Sequence, residues 1–118
     1  MLDSSDVIFF DPDNGMEVRS KPKGRKDSSK PLYWDEVRQV AARDRSLIVF
    51  QHFARVKREP FIAELRQRFM RETGASWVGV LRTSNVAYFV VPAFAHRRAL
   101  RDACYAVMRR WQPHVWLV

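Results

Sequence analysis

The sequence predicts an α/β domain in three layers: a small mixed sheet, two parallel strands plus an antiparallel hairpin, flanked by helices. Three observations predict it. Two short apolar runs, DVIFF at 6–10 and SLIVFQHF at 46–53, lack the polar alternation of a half-solvated strand and read as strands covered on both faces. Stretches of helical period separate and follow them. Two further β-rich runs, SWVGVLR and VAYFVVP, are joined by only Thr83, Ser84 and Asn85, a tight antiparallel connection.

In chain order, the first strand is stopped by Asp11, Pro12, Asp13, Asn14 and Gly15, all turn formers. Residues 19–30 hold no apolar side chain and carry six Lys/Arg against one Asp, so they read as a basic flexible loop. The segment LYWDEVRQVAARD is helical, with Trp34, Val37, Val40 and Ala41 on one face. After the second strand, Pro60 suits the first turn of a helix. Phe61, Leu65 and Phe69 recur every four residues, and Gly74 suits the position just past its end. A last helix over about 96–111 places Leu100, Cys104, Val107 and Trp111 on one face, and HVWLV is a short final strand or packed tail.

The totals bound the function. A chain of 118 residues is a single domain, 1–118. No apolar run approaches the roughly 18 residues of a membrane span. The N-terminus has no basic region ahead of its apolar stretch, so it does not read as a signal peptide. One cysteine, Cys104, cannot close an internal disulfide, and a cytoplasmic location follows as the expectation. The formal net charge of +8, with a pI near 10.4, favours nucleic acid or another polyanion as partner and no membrane.

The candidate site lies where the first two strands end. If they are parallel neighbours, Asp11, Asp13 and His52 share the carboxyl-terminal rim at which open α/β sheets bind ligands. His52 would serve there as acid, base or phosphate donor, beside Gln51. Lys21, Lys23, Arg25 and Lys26 of the basic loop, with Arg55 after the second strand, would hold phosphates. Asp11, Asp13 and Glu17 form an alternative set of oxygen ligands for Mg²⁺ in a metal-dependent nuclease or phosphohydrolase. The third reading is a non-catalytic interaction domain. The three histidines and the cysteine show no zinc spacing.

A strand running into Asp11-Pro12-Asp13-Asn14 resembles motif IV of the class I S-adenosylmethionine-dependent methyltransferases. The order of elements that follows is similar to the C-terminal half of that fold, a half-Rossmann unit: strand, helix, strand, helix, then an antiparallel hairpin. The wider pattern FFDPDNG…YWDE…QHF…LRTSN resembles uncharacterised bacterial and phage-associated proteins. The resemblance implies a methyltransferase-like domain that binds or modifies nucleic acid. Asp11 would orient the target group, Pro12 would shape the loop, and Asp13, Asn14 and Gly15 would supply polar contacts and the turn. Asp13 and Asn14 stand where the motif carries proline and an aromatic, so Tyr33 or Trp34 would brace a base in its place. The four glycines form no Gly-x-Gly turn, so S-adenosylmethionine is expected only if an N-terminal half is supplied. Without that half, the strand at 6–10 has a bare edge, which predicts a homodimer or a partner chain there.

Overall fold

The computed structural model describes residues 7–10, 34–53 and 57–118. Strands β1 (Val7–Phe10), β2 (Ser46–His52), β3 (Gly79–Arg82), β4 (Val86–Val91) and β5 (Trp116–Leu117) form one mixed sheet in the order β1-β2-β4-β3-β5. Helices α1 (Trp34–Ala42), α2 (Arg58–Thr73) and α3 (Arg97–Trp111) flank it, with a short 3-10 turn at Phe94–His96 leading into α3. The fold is therefore α/β with an open five-stranded sheet. No helix among the described residues is long and apolar enough to cross a membrane.

β1 and β2 are parallel, with Phe10 opposite Val49. β3 and β4 are the expected antiparallel hairpin, but β4 also pairs antiparallel with β2 over its whole length. Two reversals make β3 run the same way as β1 and β2. The tail HVWLV contributes β5, antiparallel to β3.

Alternation along each strand divides the core in two. Leu47 and Val49 of β2, Ala87, Phe89 and Val91 of β4 and Val80 of β3 face α1 and α2, where they pack with Trp34, Val37, Ile62 and Phe69. On the opposite face Val90 packs with Leu100 and Cys104 of α3, joined by Ile48, Trp77, Leu81 and Leu117. Burial pushes the Cys104 thiol up to about 11, so at neutral pH it is a protonated core side chain.

Two expectations from the sequence are corrected. Among the described residues β1 is the edge strand and is covered on one face only: Phe10 packs on the α1–α2 side, while Phe9 on the other face stays 56% exposed. In α3 only Leu100 and Cys104 are buried. Val107 and Trp111 share their stripe but remain exposed, while α3 makes its sheet contacts with β3 and β5.

α2 ends as its glycine implies. Gly74 takes φ 76° and donates its N–H to the Met70 carbonyl, a left-handed cap open to a residue without Cβ at no steric cost.

The start of β2 is tied to the entry of α3 by one buried hydroxyl. Ser46 is fully buried; its Oγ accepts the Ala93 N–H at 2.8 Å and meets His96 Nδ1 at 2.8 Å. Ser46→Ala strands both partners, and about 1–3 kcal/mol of stability is expected to go with them. The urea midpoint should fall at unchanged slope; an unchanged midpoint would show that the bridge carries nothing.

Candidate functional site

Since β1, β2 and β3 all run in one direction, their carboxyl-terminal ends form a single rim of the sheet. Among the described residues this rim holds Phe10, Gln51, His52, Phe53 and Arg82. The geometric premise of the candidate site, parallel adjacency of the first two strands, is thus present. Asp11, Pro12, Asp13, Asn14, Gly15, Glu17, Lys21, Lys23, Arg25, Lys26, Tyr33 and Arg55 lie outside the described residues.

Side chains leave the rim on both faces. His52 is exposed and lies on the α3 side of the sheet, the parity of Ile48 and Phe50. Gln51 takes the other parity, is only 8% exposed, and donates from Nε2 to the His52 carbonyl at 2.9 Å. The two neighbours are therefore divided between the faces, with His52 offered to solvent.

Trp34 is a core residue. It is 2% exposed, its ring 4.8 Å from that of Phe69 and its face covered by the Arg68 guanidinium at 4.6 Å. The apolar stripe of α1 draws it into the core, and no ring face is left on which a base could stack.

On the α3 side, α3 covers the β3–β5 end and leaves the β1–β2 end without a helix among the described residues. That open half carries an aromatic strip. Phe50 of β2 is opposite Tyr88 of β4, with ring centroids 5.2 Å apart. Phe9 of β1 lies 6.5 Å from Tyr88. His52 meets Phe50 edge-on at 4.7 Å and ends the strip at the rim. The helix bordering this surface carries exposed Arg97, Arg98, Arg101, Arg109 and Arg110 against one acid, Asp102.

On the α1–α2 side, the rim continues as a row across the sheet: Gln51, Ala87, Arg82 and Trp116 are register partners on β2, β4, β3 and β5. Arg82 is 8% exposed and lies between two rings, 4.8 Å from the centroid of Phe53 and 4.8 Å from that of Trp116. Arg58 covers Phe53 as well, at 5.1 Å. These contacts place two cations around the ring that follows β2.

Sequence reading singles out neither the strip nor Arg82. The signal for Arg82 is its parity. Val80 and Arg82 must share a face, so a strand with an inward valine also carries an inward charge. The signal for the strip is weaker, since Phe9, Phe50 and Tyr88 sit on three strands whose order is set by tertiary pairing.

Among the described residues no three His, Cys, Asp or Glu side chains gather as a metal site. Ser46 and His96 make contact, but a fully buried hydroxyl cannot reach a substrate, so the pair is structural. A 300 Å³ cavity lined by Asp44, Arg45, Thr73, Trp77 and Arg97 sits at the opposite end of the strands, away from the rim. Comparison with protein-family models, with curated proteins and with solved structures yields no match.

Proposed function

We propose that the chain is a methyltransferase-like α/β domain that binds single-stranded nucleic acid across the open half of its sheet and acts on it, if at all, at the carboxyl-terminal rim. The observation that carries the reading is the strip of Phe9, Tyr88, Phe50 and His52 beside an arginine-rich helix. Single strands are held by exactly such a pairing of needs: flat rings for base faces and cations for the backbone. The net charge of +8 agrees. The order strand, helix, strand, helix, antiparallel hairpin supports the methyltransferase resemblance without assigning chemistry. In this reading His52 is the acid, base or phosphate donor, and Asp11, next in sequence after Phe10, orients the target group.

The test is a titration of a labelled single-stranded oligonucleotide followed by fluorescence anisotropy. The logarithm of affinity should fall linearly with the logarithm of salt between about 50 and 200 mM, as neutralised phosphates release counterions. Absent binding at the lowest salt, or an affinity indifferent to salt, would overturn the reading.

β1 also has an unpaired outer edge among the described residues, beside an exposed Phe9. We propose that a second copy adds to this edge, since bare backbone donors and acceptors favour strand pairing. Sedimentation velocity should show mass rising with protein concentration; a single monomer mass at all concentrations would exclude it.

A further inference from the structure

A pocket of 460 Å³ opens on the α2 side of the same rim, lined by Glu59, Ile62, Ala63, Arg66, Arg82 and Trp116, among others. Its floor holds an uncompensated charge. Arg82 is more than nine-tenths buried, and its Nε donates to the Thr83 carbonyl at 3.2 Å. No carboxylate among the described residues pairs with it, and its two terminal nitrogens have no protein acceptor there. No fully buried side-chain nitrogen in the described structure is left without a partner, so those two nitrogens keep solvent access, and Arg82 lines the cavity.

The Nε hydrogen bond and two rings restrain the side chain. Phe53 and Trp116 each hold the guanidinium carbon 4.8 Å from the ring centroid, and aromatic contact on the carbon leaves the N–H groups as the part of the side chain that a ligand can engage. These groups suit the paired oxygens of an oxyanion, and burial beside two rings strengthens the demand for one. Arg66 adds positive potential, but its Nε and one terminal nitrogen are already committed to the backbone oxygens of Val78 and Val118. The cavity is much larger than one oxyanion, and its wall includes the partly exposed indole of Trp116.

We propose that this pocket binds a phosphate monoester carrying an aromatic base, with the phosphate on the free edge of Arg82 and the base against Trp116. The choice of a nucleotide over another aromatic phosphate rests on the nucleic-acid reading above. The source is a free nucleoside monophosphate or the phosphorylated end of a strand.

Calorimetry with the intact chain separates these. Adenosine 5′-monophosphate should bind, and adenosine or inorganic phosphate should bind about tenfold more weakly or worse. Arg82→Gln should lose about tenfold or more. Because Arg82 is stacked in the interior, a second variant guards against misfolding. Ala63→Glu, at an exposed position on the pocket wall, supplies a competing carboxylate and should abolish binding with an unchanged circular dichroism spectrum. Glu59→Gln removes the wall's acid and should tighten binding. Undetectable heat with the monophosphate, or equal affinity in wild type and Ala63→Glu, would overturn the proposal.

Oligonucleotides with and without a terminal phosphate complete the experiment. A preference for the phosphorylated end identifies the strand end as the source; equal affinity for both, with the monophosphate bound, identifies the free nucleotide. Oligonucleotide binding without monophosphate binding sinks the pocket and leaves the nucleic-acid reading standing. The reverse result sinks that reading and keeps the pocket.

Discussion

Phe69→Ala is expected to cost about 3–5 kcal/mol of stability, most of what a small domain holds in reserve. Phe69 is fully buried, and it is a side chain of α2 that joins α1 to the sheet. Its ring lies 4.8 Å from that of Trp34 on α1 and 5.3 Å from that of Phe89 on the central strand β4. Removing it leaves a void between two helices and the sheet. Neither rigid ring can turn to fill it, since each is held by its own element. Denaturant unfolding should show the midpoint collapse or the chain fail to fold at all. Phe94→Ala is the matched control: that ring is 87% exposed, and its loss should fall within about 0.5 kcal/mol. A cost below about 1 kcal/mol at Phe69 would mean that the core does not close around this residue.

The second large effect is on binding. Phe9→Ala is expected to weaken single-stranded oligonucleotide affinity by about 5- to 150-fold, the range for one lost base-stacking ring. Phe9 is the cleanest member of the strip to remove, because at 56% exposure on an edge strand it contributes little to the core. Tyr88→Ala should cost a similar factor, but the two rings lie 6.5 Å apart, so the double variant should fall short of the product. The salt slope is the discriminating readout. In the proposed complex the rings stack on bases and not on phosphates, so affinity should drop while the slope stays put. Unchanged affinity would show that the strip is not the binding surface. A changed slope would show that the substitution had displaced the cations.

The two sides of the rim also differ in how much of them could be read from residues alone. The parallel strand pair is legible because an intervening helix between the apolar runs at 6–10 and 46–53 supplies the crossover, although the cover that the first run implies is absent on the Phe9 side among the described residues. The hairpin was legible from a three-residue connection, and the C-terminal end of α2 from Gly74. His52 was placed at the rim for the same local reason, being the last residue of β2. Trp34 was legible as apolar-face and illegible as ligand-facing: one side chain cannot serve both, and the depth of the α1–α2 packing resolves it. Arg82 is not legible from local pattern, since it ends a strand beside a turn. Its importance depends on Phe53 and Trp116, which lie far from it along the chain and close around it only once β4 has inserted between β2 and β3.

Period and composition alone determined that this chain alternates strand and helix and carries a strong positive charge, because those properties are local or additive; the parallel sense of the first two strands follows from the helix between them once they are neighbours. Among the described residues, only the tertiary structure decided which half of the sheet stays without a helix, which aromatic rings line it, and which buried guanidinium has no paired carboxylate. Those outcomes depend on strand order and on where α3 comes to rest. Both are set by packing between residues distant in sequence, which no local pattern records.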